Sequence, residues 1–164
     1  MNSSEKAKQR RWEEVLSQWH NRAPICRTFG MSLDYDEHGN ARIELPHNPR
    51  IDHGMGGIHG GVIATLLDNA GWFTVATRFD HWIATLEFHV RLLDHAEKCD
   101  LVASGSIVRL GKTISTAEMK VCRKDGKAIA VGSGSFVLTG VERPQEQDAI
   151  HAILKKYEGL FPGS

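Results

Sequence analysis

Hydrophobic and small residues occupy almost every position from Gly61 to Thr77, a pattern that predicts a helix buried all round. At about 100° per residue, the positions divide into two faces. The bulky face, suited to packing, carries Val62, Ile63, Leu66, Leu67, Ala70 and Phe73. The other face carries small residues and one acid, with Trp72 beside it: Gly61, Ala64, Thr65, Asp68, Gly71 and Val75. A carboxylate among small side chains leaves room for a ligand beside the helix.

Shorter patterns on both sides of this helix predict the other elements. Helices are expected over residues 4–21 and 144–158, and strands at 31–36, 41–45, 83–92, 101–108, 113–122 and 128–138. Residues 83–92 alternate, with one mixed face that includes Thr85 and one apolar face: Ala84, Leu86, Phe88, Val90 and Leu92. The order of elements predicts an α+β protein whose antiparallel sheet wraps around the buried helix.

The length and charge of the chain limit its class. A chain of 164 residues fits one domain, residues 1–164, with a core at about 30–140 between two terminal helices. Its 20 basic and 20 acidic residues leave no net charge, which argues against a nucleic acid partner. The charged N-terminus does not fit a secretory signal, and no apolar run is long enough to cross a membrane. Three widely spaced cysteines without a CxxC pair indicate a reduced, cytoplasmic protein.

The sequence His59-Gly60-Gly61 introduces the long helix. The first backbone N–H groups of a helix have no partner within it, and the helix dipole favours negative charge there. Glycines also let a ligand approach the backbone closely. These amides are therefore candidates to hold an anion or the oxyanion formed when a thioester or ester carbonyl is attacked. The alternative is a plain glycine turn with His59 as a hydrogen-bonded core residue.

Asp68 lies nine residues after His59, a separation of roughly 13 Å along a helix axis. One molecule cannot easily bring both groups to the same carbonyl. If both act on one substrate, they should come from two subunits of a symmetric dimer. Asp68 is then a candidate general base or nucleophile, with its pKa tuned by burial. The alternative is a structural acid bonded to a neighbouring hydroxyl such as that of Thr65.

Signals for a metal or a nucleotide are weaker. None of the nine histidines forms an HxxxH or HExxH pair, so no metal site is predicted. Gly111-Lys112-Thr113 resembles the end of a phosphate-binding loop, but a strand rather than a helix should follow it. Arg109 and Lys112 remain candidates to contact a phosphate from a turn, although a solvated hairpin is the commoner case.

The sequence HGGVIATLLDNAG, followed by the strand TLEFHVRLL and an R-x-G-K turn, resembles the PaaI-like family of hotdog-fold acyl-CoA thioesterases. The similarity extends from about Gly30 to Leu138 and leaves out both terminal helices. It implies a hotdog fold, a homodimer or homotetramer, and hydrolysis of acyl-CoA thioesters by water. It implies no cofactor beyond the CoA that is part of the substrate.

The resemblance also implies roles for single residues. Asp68 matches the helix carboxylate that acts as base or nucleophile, and Thr85 matches a hydroxyl that helps to orient the attacking water. Gly60 and Gly61 match the amides that polarise the thioester carbonyl, and His59 helps to position it. Arg109, Gly111 and Lys112 match the turn that, in the family, lies near the nucleotide or the phosphates of CoA.

Other positions leave alternatives open. Many family members have Asn six residues before the motif histidine, where this chain has His53, and a gap in the alignment would bring Asn48 there instead. Trp72, together with Phe73 and Trp82, indicates a short or aryl acyl pocket, or simply an aromatic core. The family often has Leu-Arg-Pro where this chain has Leu93-Asp94-His95, which leaves open whether CoA or acyl carrier protein is the carrier.

The predicted function is therefore an acyl-CoA thioesterase. The competing interpretation is a non-catalytic hotdog protein that binds acyl-CoA as a sensor or an assembly module. A buried base argues against it, because binding alone does not need one. A hotdog dehydratase ranks lower, since it uses a different His/Glu arrangement, and a metal-dependent hydrolase is a distant third.

Overall fold

The computed structural model describes residues 3–144, 150–152 and 155. Its helices are α1 (Ser3–Asn21), α2 (Pro24–Phe29) and α3 (Gly60–Ala76), with a 3₁₀ turn at Pro49–Ile51. Its strands are β1 (Ser32–Tyr35), β2 (Ala41–Leu45), β3 (His81–Leu92), β4 (Leu101–Arg109), β5 (Ile114–Arg123) and β6 (Ala128–Glu142). The predicted order of these elements is confirmed. Helix α2 was not predicted. Pro24 was interpreted only as a residue that stops α1, whereas proline also suits the first turn of a new helix, and here it begins α2.

All six strands form one antiparallel sheet in the order β1-β2-β4-β5-β6-β3. Helix α3 packs against β2, β3, β4, β5 and β6. On its bulky face Leu66, Leu67 and Ala70 are fully buried. The sheet therefore curls around α3, which confirms the predicted α+β fold of the hotdog type.

Small residues bring α3 close to the sheet. A Cβ atom built on Gly71 would lie 2.7 Å from the Phe136 ring and 2.9 Å from the Met119 sulfur. A Cβ atom on Gly105 would lie 2.4 Å from the backbone oxygen of Ala70. Gly71 thus serves packing rather than ligand access. Its predicted place on a ligand-facing side of the helix is wrong, and so is that of the buried Val75.

The prediction that α3 is buried all round is also wrong. Gly61 is exposed, and four further positions on the same side are only half-buried: Ala64, Thr65, Asp68 and Trp72. They recur at helical spacing and form one stripe that neither the sheet nor α1 fully covers. The sequence gives no sign of this, because small residues are compatible with both close packing and an open face.

Strand β3 departs from its predicted alternation at Leu86. Thr85 pairs with Phe136, but Glu87 pairs with the adjacent Ser135, so Leu86 is an extra residue in a β-bulge. Beyond the bulge the inward and outward positions are exchanged. The side of the sheet that Thr85 shares with the buried Phe136 is therefore also the side of Phe88, Val90 and Leu92. The sequence pattern placed Thr85 on the opposite face from these three residues, which is wrong.

The end of β3 beyond the bulge is exposed. The exposed fraction is 36% for Phe88, 38% for Val90 and 53% for Leu92. Strand β3 lies at one edge of the sheet, and its outer edge pairs with no other strand among the described residues. A long apolar edge strand of this kind is a template for pairing with another chain.

Helix α1 is held against the far end of α3. The guanidinium of Arg143 lies 4.0 Å from the centre of the Trp12 ring, and its Nη2 donates to the backbone oxygen of Ala76 at 2.6 Å. Trp12 Nε1 donates to Asp80 at 3.0 Å, and Lys8 pairs with the same carboxylate. Arg143, which follows β6, thus places a buried cation at the C-terminal end of α3, and Trp12 of the N-terminal helix covers it.

Most of the helix predicted at residues 144–158 lies outside the described residues. Residues 150–152 and 155 are helical, and Ile150 is buried. The division of the chain into one domain stays a prediction. Within the described residues, no helix combines the length and the apolar character needed to cross a membrane.

Candidate active site

Asp68 and Thr85, which the sequence placed on separate elements, are in direct contact. Thr85 Oγ1 donates a hydrogen bond of 2.8 Å to Asp68 Oδ1. Thr65, proposed as the structural partner of Asp68, donates to the backbone oxygen of Gly61 instead, at 3.0 Å. The carboxylate is thus held by the facing strand and remains half-open to solvent on the exposed stripe of α3.

The surroundings of Asp68 raise the pKa of its carboxyl group. The main cause is desolvation by burial, which disfavours the charged form, and the hydrogen bond from Thr85 acts in the opposite direction. A raised pKa makes the carboxylate a stronger base than an exposed aspartate. Raised pKa values of this kind are more frequent at functional sites than elsewhere.

The start of α3 is capped by the side chain of His59. Its Nδ1 accepts a hydrogen bond of 2.9 Å from the backbone N–H of Gly61. The prediction that both glycine amides are free is therefore wrong for Gly61. The N–H of Gly60 has no hydrogen-bond partner within the described part of the chain. One backbone donor and the Nε2 side of the exposed His59 ring are left for a ligand.

Helix α3 and strand β3 lie side by side and run in opposite directions, with a contact at each end of the stretch that they share. At one end, a Cβ atom on Gly60 would lie 3.1 Å from Leu92 Cδ1. At the other end is the bond between Asp68 and Thr85. We call the strip of surface between these two contacts the α3–β3 groove. The half-buried Ala64 lies between them on α3, and the exposed Phe88, Val90 and Leu92 lie on β3. The sequence pattern missed these β3 residues as site candidates, because their role depends on the bulge.

Trp72, predicted to bind substrate, lies one helical turn beyond Asp68. Its Nε1 donates to the backbone oxygen of Ile83 at 3.1 Å. Its ring packs against Phe73 at a centroid distance of 4.7 Å, and against Trp19 of α1 at 6.4 Å. Trp72 thus belongs to an aromatic cluster at the Asp68 end of the groove. A substrate contact at this residue stays a prediction.

The two candidates before the helix are both held within their own loop. Asn48 Oδ1 accepts from the backbone N–H of Arg50 at 3.1 Å and caps the 3₁₀ turn. His53 Nδ1 accepts from the backbone N–H of Met55 at 3.1 Å. The structure therefore gives both side chains a role in shaping the loop, and a contact of either one with substrate stays a prediction.

The turn between β4 and β5 carries the predicted phosphate contacts. Arg109, Gly111 and Lys112 line a cavity of about 550 Å³. Ser115 holds the turn, because its Oγ accepts from the N–H of Gly111 at 3.2 Å. The backbone N–H of Leu138, which pairs with Ile83 of β3, donates to the Thr113 oxygen at 2.8 Å. The turn thus lies beside the end of β3 that carries Thr85.

Another cavity, of about 880 Å³, crosses strands β3 to β6 around Lys120 and Ser133. It includes none of the predicted site residues. No three His, Cys, Asp or Glu side chains converge as a metal site would require in the part of the chain that the structure describes. The candidate chemical groups of the groove are the side chains of Asp68, Thr85 and His59 and the Gly60 amide.

A curled six-stranded antiparallel sheet around one helix, with a carboxylate on the open side of that helix, defines a hotdog protein. The family described as the thioesterase superfamily matches residues 55–130. A relative from Halobacterium salinarum, provisionally named an esterase, is 33% identical over 121 residues, which cover 66% of this chain and 80% of the relative. The chain belongs to the thioesterase superfamily.

Solved structures share the fold. A thioesterase of Haemophilus influenzae matches with a TM-score of 0.72 and 16% identity, over 82% of this chain and 94% of that chain. The PaaI protein of Escherichia coli, from the phenylacetic acid degradation operon, matches with a TM-score of 0.71 and 16% identity, over 83% and 96%. These structures confirm the PaaI-like hotdog fold predicted from the sequence.

Proposed function

We propose that the protein is an acyl-CoA thioesterase with Asp68 as its catalytic base. Membership of the thioesterase superfamily makes thioester hydrolysis the general class of reaction. The observation that carries the proposal is the Asp68 carboxylate, half-buried on the open side of α3 with a raised pKa and held by Thr85. A structural acid would be expected to have more than one partner, since burying a charge is costly.

The reaction uses water and no cofactor. The Asp68 carboxylate takes a proton from water while the water oxygen attacks the thioester carbonyl carbon. When the tetrahedral intermediate collapses, the carbon–sulfur bond breaks, and the proton held by Asp68 passes to the leaving sulfur. The products are the free acid and the thiol of CoA. Thr85 fixes the direction of the carboxylate through its hydrogen bond.

The start of α3 supplies the other half of the site. The Gly60 N–H is aimed where a helix dipole favours negative charge, and it would donate to the carbonyl oxygen as that oxygen becomes an oxyanion. The exposed Nε2 side of His59 would orient the same oxygen. Gly61 contributes by holding His59 in place rather than as a donor of its own.

Two subunits are needed to bring these halves together. Gly60 lies beside Leu92 and Asp68 beside Thr85, so the halves are separated along one groove by roughly 12 Å of helix. We propose that the apolar edge of β3 pairs antiparallel with the same edge of a second copy. A pairing that sets Thr85 opposite the partner subunit's Leu92 brings Asp68 to the helix start of the other copy. A dimer then has two equivalent sites.

The turn at Arg109 and Lys112 is the proposed contact for the phosphates of CoA. It lies near the end of β3 that carries Thr85, and neither side chain forms an ion pair within the described residues. Cationic side chains beside a backbone turn are suited to a phosphate. In this proposal the carrier lies on the Asp68 side of the thioester.

The test is CoA release from short, long and aryl acyl-CoA substrates by wild type, Asp68→Ala and Asp34→Ala. Asp34 is an exposed aspartate of β1 and serves as the matched control. Loss of the base should reduce kcat by about two or more orders of magnitude, while Asp34→Ala should retain wild-type turnover. Circular dichroism and size-exclusion chromatography establish that each variant keeps its fold and oligomer.

Two results contradict the proposal. Equal turnover by wild type and Asp68→Ala would remove Asp68 from the mechanism. No turnover by wild type on any substrate, with acyl-CoA still bound in calorimetry, would favour the non-catalytic acyl-CoA-binding protein.

A further inference from the structure

A second cavity, of about 480 Å³, opens beside the start of α3. Its apolar wall is formed by Phe29 of α2, Ile51 of the 3₁₀ turn and Val62 of α3. Two exposed arginines, Arg27 and Arg50, also line it. The cavity thus combines an apolar body with a cationic mouth.

The cavity adjoins the proposed oxyanion site. His59, which caps α3 and lies next to the Gly60 amide, is one of the residues that line the cavity. In the proposed dimer the phosphates of CoA lie toward the turn at Arg109, on the Asp68 side of the thioester. The acyl group leaves the carbonyl in the other direction, toward this cavity. This step rests on the proposed function.

The rim of the cavity is set to attract an anion. Arg50 forms no ion pair with any residue in the described part of the chain. Asp52 also lines the cavity but forms no ion pair with Arg50: its Oδ2 lies 3.4 Å from His47 Nε2, and its buried Oδ1 has no hydrogen-bond partner within the described residues. The positive end of the α3 dipole adds to the cationic field.

We propose that this cavity binds the acyl group, and that Arg50 selects acyl groups that end in a carboxylate. The substrate class is then the monothioester of a dicarboxylic acid with a short methylene chain. The methylenes would lie on the apolar wall, and the terminal carboxylate would accept hydrogen bonds from the Arg50 guanidinium, which matches a carboxylate in two-point geometry.

The experiment compares acyl groups of equal length that differ in charge: glutaryl with pentanoyl, and adipyl with hexanoyl. Each is offered as a CoA thioester and as an N-acetylcysteamine thioester, which has no phosphate. Wild type should have a higher kcat/KM for the acyl group that carries the carboxylate, with both carriers. Arg50→Gln should lower kcat/KM for glutaryl and adipyl substrates about tenfold, and leave pentanoyl and hexanoyl substrates unchanged.

Arg10→Gln, which alters an exposed arginine of α1 outside the cavity, should change neither group of substrates. If Arg50→Gln lowers kcat/KM for all CoA thioesters but for no N-acetylcysteamine thioester, Arg50 binds the phosphates of CoA and the inference is wrong. Equal kcat/KM values for the charged and neutral acyl groups, unchanged in Arg50→Gln, also overturn it. That outcome leaves the proposed thioesterase intact, whereas no turnover on any thioester refutes both.

Discussion

Replacement of Asp68 by Asn should make the protein inactive and more stable at the same time. Asn keeps the size of the side chain and an oxygen that accepts the Thr85 hydrogen bond, but it carries no charge. The charge is what the half-buried position disfavours, as the raised pKa of Asp68 indicates. Because functional residues often cost stability, removal of the charge should recover part of that cost.

The size of the gain follows from the surroundings of Asp68. Full burial of an unpaired charge would cost several kcal/mol, but Asp68 is half-buried and keeps one hydrogen bond. We therefore expect a gain near the lower end of the range for poorly satisfied polar groups, about 1 kcal/mol. For a chain of this size that corresponds to a rise in Tm of about 2–4 °C.

The gain should depend on pH. Folding raises the pKa of Asp68 above its unfolded value, so the folded state prefers the protonated carboxyl. The contribution of the wild-type residue to stability is fully present below the unfolded pKa, and it is lost as pH rises through the folded pKa. Asn does not titrate, so its contribution to stability does not change over this pH range. The difference in Tm between Asp68→Asn and wild type should therefore be absent below about pH 4 and largest at neutral pH.

Differential scanning calorimetry at a fixed protein concentration measures both quantities. Asp34→Asn, on the exposed surface of β1, should leave Tm unchanged at every pH. A variant Asp68→Asn that is no more stable than wild type at neutral pH would refute the argument. A gain of equal size at acid and neutral pH would show that shape rather than charge is its origin.

Three further predictions concern the framework around the site. Gly111→Ala should lower Tm by several degrees in thermal unfolding, because a Cβ there would lie 2.1 Å from a backbone oxygen across the turn, whereas Gly140→Ala meets nothing within 4 Å and should not. Asp80→Asn should lose about 0.5–1 kcal/mol, because it removes the ion pair with Lys8 and the charge that strengthens the hydrogen bond from Trp12. Because the fold holds the pKa of Asp80 low, its contribution is present above the unfolded pKa and lost as pH falls through the folded one; chemical denaturation of both proteins should therefore converge in acid. Val90→Lys should dissociate the oligomer in light scattering, and a wild-type monomer would contradict the proposed edge pairing.

The fold was predictable because its strongest signals are local. A long uncharged helix, a run of alternating strands and turns with Gly and Asp fix the order of the elements. Asp68 attracts attention in the sequence because an acid in an apolar helix is costly to bury without a partner; the structure gives it Thr85 as a partner, and its role as a base stays a prediction. The exposed side of α3 was not predictable, because small residues do not reveal whether a neighbour covers them.

Two features of the candidate site depend on contacts that a pattern does not encode. The cap that His59 places on Gly61 requires one side-chain rotamer, so the sequence could not tell which glycine amide stays free. The cavity at Phe29 and Arg50 joins two segments about twenty residues apart, one of them an unpredicted helix. The N-terminal helix α1 contributes Trp19 to the aromatic cluster around Trp72, although the region that matches the family begins only at residue 55.

The bulge at Leu86 changes which positions of β3 face α3. Before the bulge, the odd-numbered residue Thr85 faces α3. After it, the even-numbered residues Phe88, Val90 and Leu92 lie on that same side of the sheet. A single extra residue thus exchanges the inward and outward positions of the strand. Deletion of Leu86 would force a choice between the Thr85–Asp68 contact and the apolar edge. The proposed catalytic contact and the proposed dimer edge thus depend on the number of residues in β3 as well as on their types.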